Sequence, residues 1–352
     1  MIFDLFKRSD ENKMNKRLAT SADVAALAGV SQSTVSRSFD MNSRISKATR
    51  NRVFDAAKEL GYQVNKAAQT MIKQRSDLVG LVTAGLDDPF RSEFLNQLII
   101  EVQRQGFRPM VIDVTDTHGL DDSLQALMQY QLSGVIITSG SPSEKIAQEF
   151  VNRSIPVILV NRTDQSADLT GVDIVNIDNV KGGTLAAEAL LASGRKELML
   201  VRAKASSYSS IMRAQGFKKA LLPHVETGKV NVSEVECETG DYEGGYQLAL
   251  SLLPEKLRPD GIFFCLDHIA CGFMDAARKE FGLLIPKDVS IIGFDDIRLS
   301  GYQSYALTTL RQCPKLVSKA VVNSLVLRLK KPNDKAMCEI VPVTMINRST
   351  LL

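Results

Sequence analysis

The 352-residue chain contains no tryptophan, three histidines and five cysteines. His118, His224 and His268 lie far apart and form no HxxxH or HExxH pattern, so no metal is expected. Cys237, Cys265, Cys271, Cys313 and Cys338 include no CxxC pair, and an odd number at scattered spacing suits reduced thiols. No apolar run approaches the ~18 residues of a membrane span, and the first residues lack the apolar stretch of a signal peptide. A cytoplasmic protein with no membrane partner is therefore expected. There is no GxxxxGK[ST], GxSxG or GxGxxG pattern, and no nucleophile–base pair is visible. The pair Gly182-Gly183 reads as close helix–strand packing rather than a phosphate loop. No catalytic residue and no cofactor is expected.

Net charge is also scarce, at +3, but it is unevenly spread. Residues 1–75 hold 14 Lys/Arg against 7 Asp/Glu, and the other 277 residues hold 29 against 33. A basic head on a mildly acidic body implies a polyanion-binding module joined to something that does not bind polyanions. With 44% hydrophobic and 24% charged residues, the chain is long enough to fold around ordinary cores, in two or three domains.

Residues 20–62 read as three short helices. Thr20 and Asp23 have capping-box spacing, Val24, Leu27 and Ala28 share one apolar face, and Gly29 sits where that helix must stop. Ser31 caps a second helix with Val35 and Phe39 facing inward. After the polar loop Asp40-Met41-Asn42-Ser43, Ser46 caps a third helix whose core face is Val53, Ala56, Ala57 and Leu60, ending at Gly61. Two helices joined by a short Gly-containing turn and braced by a third make a helix-turn-helix unit. The outer face of its second helix carries Gln32, Ser33, Ser36 and Arg37, which suit base edges in a major groove. Arg44, Lys47, Arg50 and Arg52 are placed to reach flanking phosphates. The competing reading is a small solvated helical bundle.

From Ser76 onward, apolar runs rich in Val, Ile and Leu alternate with amphipathic stretches such as Glu93–Gln105 and Gly182–Ala192. The expected strands are Leu78–Val82, Pro109–Val114, Val135–Thr138, Val157–Val160, Ile174–Ile177, Leu198–Val201, Gly261–Leu266 and Val289–Phe294. Continuous apolar strands alternating with helices imply parallel sheets covered on both faces. The count fits an α/β body of two lobes with a ligand cleft at the strand ends.

The run Thr20-Ser-Ala-Asp-Val-Ala-Ala-Leu-Ala-Gly-Val-Ser-Gln-Ser-Thr-Val-Ser-Arg37 resembles the DNA-binding head of the LacI/GalR family of bacterial transcription regulators. The likeness continues through Ser46-Lys-Ala-Thr-Arg50 and Ala56-Ala-Lys-Glu-Leu-Gly-Tyr62. In the body, Asp88-Pro-Phe90, Arg213-Ala-Gln-Gly-Phe217, Asp288-Val-Ser-Ile-Ile-Gly-Phe-Asp-Asp296 and Leu307-Thr-Thr309 resemble further family motifs, so the likeness spans about 330 residues. It implies an all-α helix-turn-helix head and hinge helix, then a two-lobed periplasmic-binding-protein-like effector domain. The implied boundaries are a disordered arm over 1–19, the head over 20–64, the hinge over 65–75 and the effector-binding and dimerisation domain over 76–352. Met14-Asn-Lys-Arg looks like an ordinary family start, which leaves residues 1–13 as an arm or an upstream start.

By the same resemblance Gln32, Ser33 and Arg37 read bases, and Thr20, Ser31, Thr34, Ser46, Thr49 and Arg50 contact phosphates. The hinge Asn65–Arg75 is marginal as a helix alone; the resemblance implies that it folds across a dimer on DNA. Asn65 and Ala68 keep the family pattern, Met71 stands at the position of the minor-groove wedge, and Val64 replaces the usual Pro. In the cleft, Arg213, Tyr242 and Asp295 match residues that bind, stack on and accept from the effector, and Phe90, Arg91 and Asp178 match positions lining it. Leu266 stands where sugar-responsive members often have Asn, which changes effector choice. His268 beside it is the candidate replacement contact, or an ordinary helix-start residue. The partners implied are a pseudo-palindromic double-stranded operator, a small effector such as a sugar, sugar derivative or other metabolite, and a second copy of the chain, as dimer or tetramer. The implied function is a regulator, by family default a repressor, gated allosterically. A solute-binding protein and a sugar- or nucleoside-processing enzyme are the competing readings, since one fold hosts many chemistries.

Overall fold

The computed structural model describes residues 19–40, 43–63, 76–115, 119–162, 171–205, 207–254 and 258–352. The expected arm and the hinge residues Asn65, Ala68 and Met71 lie outside the described residues. Two compact units are present, Met1–Gln74 and Arg75–Leu352.

In the first unit, helices α1 (Ser21–Ala28), α2 (Gln32–Ser38) and α3 (Lys47–Glu59) start where the sequence places their caps. Thr20 and Asp23 form a reciprocal capping box, worth about 0.5–2 kcal/mol, and Gly29 takes φ 65° to end α1. The core is Val24, Ala25, Ala28, Val35, Val53, Ala56 and Ala57, with Val30, Phe39 and Tyr62 packed against it. Two expected core residues are corrected. Leu27 is 48% exposed and Leu60 38% exposed. Ala25 takes the inward position beside Val24, and Leu60 lies past the last helical turn, so neither leucine faces the small interior.

The second unit holds two parallel-stranded sheets. Lobe 1 has the order β11-β5-β4-β3-β1-β2, from β1 (Leu78–Thr83), β2 (Arg108–Asp113), β3 (Gly134–Ile137), β4 (Val157–Val160), β5 (Val172–Ile177) and β11 (Cys338–Val341). Lobe 2 has the order β12-β10-β9-β8-β6-β7, from β6 (Glu197–Ala203), β7 (Asn231–Cys237), β8 (Gly261–Phe264), β9 (Ser290–Asp295), β10 (Thr308–Arg311) and β12 (Thr344–Ile346). Among the described residues the β10–β12 pair alone is antiparallel. All eight expected strands are present. The four unexpected ones are β7, β10, β11 and β12; all but β10 lie at sheet edges, where polar residues such as Glu234, Glu236 and Glu339 interrupt any apolar run.

Helices α4 (Pro89–Arg104), α5 (Leu120–Leu127), α6 (Glu144–Asn152) and α11 (Pro314–Lys330) cover lobe 1. Helices α7 (Asn179–Ala192), α8 (Tyr208–Glu226), α9 (Tyr242–Leu252) and α10 (Asp267–Phe281) cover lobe 2. The chain therefore crosses between lobes three times: after β5, after β10 and between β11 and β12. The first and third crossings touch, since Asp178 N–H donates to the Val341 carbonyl at 2.9 Å.

Glycines set the spacing of the lobe 2 helices. A Cβ on Gly183 would lie 1.9 Å from the Arg213 carbonyl oxygen, and one on Gly216 2.0 Å from that of Val180. α7 and α8 thus meet backbone to backbone. Gly182 faces Phe294 of β9, as helix–strand packing predicts, but Gly183 corrects that reading, because it serves a helix–helix contact.

Candidate functional site

In the head, Gln32, Ser33, Ser36 and Arg37 lie exposed on α2. Gln32 Nε2 donates to Ser21 Oγ at 2.7 Å, and Arg37 Nε donates to the Ser33 carbonyl at 3.3 Å. Ser31 Oγ accepts from Thr34 N–H and lies 2.9 Å from the hydroxyls of both Ser33 and Thr34. Ser46 accepts from Thr49 N–H and donates to the Thr49 hydroxyl. The hydroxyls of Thr20, Ser31, Thr34, Ser46 and Thr49 thus gather at helix starts, where they order the backbone. Arg50 is part-buried; its Nη2 donates to the carbonyls of Asp40 and Ser43, tying the two residues together. Arg44, Lys47 and Arg52 are exposed.

The body's cleft, about 370 Å³, lies at the C-terminal ends of the strands of both lobes. Its floor is a polar chain. Arg213, 2% exposed, donates through Nε to Asn179 Oδ1 at 2.9 Å and through Nη1 to the Cys265 carbonyl at 2.6 Å. The same Nη1 pairs with Asp295 Oδ1 at 3.1 Å, and the guanidinium carbon stands 3.6 Å from the centre of the Phe294 ring. Gln312 Nε2 donates to the same Asp295 oxygen. Gln312 Oε1 is buried and accepts from nothing among the described residues. Burial pushes the Asp295 carboxyl well above the usual carboxylate range, against the pull of Arg213.

Backbone strain aims this carboxyl. Asp295 has φ 124°, a conformation that side chains rarely adopt, and Asp296 has φ 55°, in the left-handed region. The loop is held by Asp267, fully buried, whose Oδ2 accepts from Ile297 N–H at 3.1 Å and whose Oδ1 accepts from the Thr309 hydroxyl at 2.6 Å. A Cβ on Gly293 would lie 2.1 Å from that Oδ1. Desolvation raises the Asp267 carboxyl to about 6.

The lobe 1 wall carries Phe90 and Arg91 from α4, hydroxyls of Thr138, Ser139 and Ser141 after β3, and Asn161 and Arg162 after β4. Arg91 Nη1 donates to the Ala84 carbonyl at 2.9 Å, and Gly85, at φ 65°, leaves the room it occupies: a Cβ there would lie 2.7 Å from Nη1. Arg162 is framed by Asn176, which accepts from its N–H at 2.9 Å and donates to its carbonyl at 3.0 Å. Its side chain donates through Nε to the Gly140 carbonyl and through Nη1 to the Asn161 carbonyl. Burial, and then the charge of Arg91, pull the Arg162 guanidinium down to about 10.

Of the residues expected in the cleft, Phe90, Arg91, Arg213 and Asp295 line it together, as does Leu266. Tyr242 does not: its hydroxyl donates to Asp275 Oδ2 at 2.6 Å, and its ring lies against Tyr246 and His268. It follows β7, the outermost strand of its sheet. His268, held in that ring contact, is likewise not among the lining residues. Asp178 instead caps α7, accepting from Lys181 N–H at 3.0 Å. Arg162, Asn161 and Gln312 went unrecognised in sequence; the available signal was that each directly follows a strand or its first flanking residue. The buried thiols Cys237 and Cys265 are raised to about 12 by desolvation, so neither is poised as a nucleophile. Among the described residues no His/Cys/Asp/Glu group can hold a metal, and no helix is long and apolar enough to cross a membrane.

A helix-turn-helix head and a two-lobed α/β body with a strand-end cleft have the architecture of a transcriptional regulator. Residues 20–65 match the family described as bacterial regulatory proteins, lacI family, and residues 187–351 match a periplasmic binding protein-like domain. The HTH-type transcriptional regulator DegA of Bacillus subtilis is 30% identical over 299 residues, covering 82% of this chain and 85% of DegA. The ribose operon repressor of Haemophilus influenzae is 29% identical over 341 residues, covering 95% of this chain and 99% of that repressor. A crystal structure of the lac repressor dimer bound to operator and the anti-inducer ONPF superposes with a TM-score of 0.83 at 27% identity, covering 95% of this chain and 99% of that one. The chain belongs to the LacI family of transcriptional regulators.

Proposed function

We propose that the protein binds a pseudo-palindromic operator as a homodimer and represses transcription under control of a small effector held in the cleft. The observation that carries this reading is the pairing, in one chain, of an exposed Gln32–Ser33–Arg37 face with a cleft that presents buried polar groups. Gln32, Ser33 and Arg37 read base edges, and Thr20, Ser31, Thr34, Ser46 and Thr49 position the head on phosphates. Arg50 supports the contact by tying Asp40 to Ser43. The hinge residues Asn65, Ala68 and Met71 are assigned to the minor groove on the family pattern alone.

In the cleft both bonds to Asp295 fall on Oδ1, which leaves Oδ2 for an effector hydroxyl. Gln312 Oε1 supplies a second acceptor; a buried acceptor left unpaired costs about 1–3 kcal/mol, so a ligand donor there is favoured. No enzymatic step is assigned, since among the described residues the cleft holds no nucleophile–base pair, and a cytoplasmic site of action follows from operator binding.

The reading is tested on Arg37→Ala. Affinity for the selected operator should fall by about 1–3 kcal/mol, with relaxed preference at one base pair, while binding to random DNA changes far less. Equal losses on operator and random DNA would reject Arg37 as a base reader.

A further inference from the structure

Among the described residues the cleft is lined by three arginines, Arg91, Arg162 and Arg213, against two aspartates, Asp88 and Asp295. Both aspartates are already engaged. Asp295 pairs with Arg213. Asp88 caps α4, accepting from the N–H groups of Phe90 and Arg91, and comes no closer than 3.9 Å to the Arg91 guanidinium. Among the described residues no carboxylate pairs with Arg162, and its charged neighbour is another arginine, Arg91. Both guanidiniums are held by backbone carbonyls, of Ala84 for Arg91 and of Gly140 and Asn161 for Arg162. Carbonyls fix position without cancelling charge. Keeping two like charges together in a partly desolvated wall is costly unless an anion joins them. The Asn176 frame around Arg162 and the Gly85 gap beneath Arg91 hold the two in place before any ligand arrives.

We propose that the effector is a hydroxylated anion of monosaccharide size, a carboxylate or phosphate, whose charged end is held between Arg91 and Arg162. This rests on the cleft being the effector site. Guanidinium forks match the planar oxygens of a carboxylate or the edge of a phosphate. The opposite end of the same molecule offers hydroxyls to Asp295 and Gln312, and the Thr138, Ser139 and Ser141 hydroxyls line the path between. A volume of about 370 Å³ accommodates such a molecule. Leu266, where a sugar-contacting amide is absent, removes one hydroxyl contact on the lobe 2 side, which shifts recognition towards the arginine wall.

The test uses the full chain in chloride-containing HEPES buffer, by calorimetry and thermal shift. The probes are D-gluconate, D-glucose 6-phosphate, inorganic phosphate, D-glucose and D-ribose. Gluconate or glucose 6-phosphate should bind at least about tenfold more tightly than glucose or ribose, and Arg162→Gln and Arg91→Gln should each remove about tenfold of that affinity. Which of the two anions binds identifies carboxylate or phosphate as the charged group. Operator binding by the ligand-free variants checks that they fold. Neutral sugars binding equally well in wild type and Arg162→Gln would overturn the inference and leave the cleft as effector site. Inorganic phosphate binding as tightly as glucose 6-phosphate would overturn it too, since the hydroxyl end would then contribute nothing. Silence from every probe overturns it and counts against the cleft itself.

Discussion

Asp267 shows how one residue can govern a site it does not line. Its carboxylate ties Ile297 and Thr309 together and so holds the strained turn that aims Asp295. Its folded value of about 6 lies above the ordinary ~3.9 of an unfolded aspartate. Between those values the native state keeps a proton that the unfolded chain releases, so this group's contribution is full below ~4 and lost as pH rises through about 6. The Asp267→Asn variant removes that titration. The stability difference between wild type and variant should therefore drift by about 2–3 kcal/mol between pH 4 and 7, measured by urea unfolding. A difference that stays constant over this range would show that the buried acid has an ordinary affinity for its proton. The family motifs marked Asp295 and Arg213 as cleft residues, but the holding role of Asp267 was not legible, because it comes from contacts more than 25 positions away.

Among the elements, the paired glycines of α7 and α8 set where Arg213 sits. Gly216 is one turn beyond Arg213 on α8, and its missing side chain lets the Val180 carbonyl approach. The Gly216→Ala variant must push the two helices apart or bend one. It should cost about 1–3 kcal/mol of stability and move Arg213 relative to Asp295, weakening effector binding. A variant with unchanged melting temperature and effector affinity would mean that the helices are not in backbone contact. The same geometry recurs between α9 and α10, where a Cβ on Gly245 would lie 2.0 Å from the Ile269 carbonyl oxygen and one on Gly272 1.8 Å from that of Tyr242. The interior strands were legible because burial on both faces demands uninterrupted Val, Ile and Leu. The edge strands β7, β11 and β12 were not, since half-exposed ladders tolerate Glu, Thr and Ser. Tyr242 follows β7 and spends its hydroxyl on Asp275 and its ring on the lobe 2 core, so it packs within that lobe and does not line the cleft.

For the whole molecule, the uneven charge predicts a strongly salt-dependent DNA complex. Operator affinity should fall about 10³-fold or more between 50 and 200 mM salt, as phosphate contacts release counterions. A flat titration would remove the basic head as the DNA-binding site. Operator and effector must also alter one another's affinity by the same factor, because the coupling is a free energy shared by both.

The polar chain of the cleft floor has a mechanical consequence. Asn179 sits on the first crossing between lobes and Gln312 on the second, and the bonds Asn179–Arg213–Asp295–Gln312 join them. This chain acts as a tie-rod between two pivots. A ligand bonding to the remaining Oδ2 of Asp295 joins this rod, so its effect is expected at both crossings. Hydrogen exchange should then respond to a cleft ligand at residues 177–180 and 311–314 together, although they lie more than 130 positions apart in the chain. Protection changing at one pivot and not the other would break the rod.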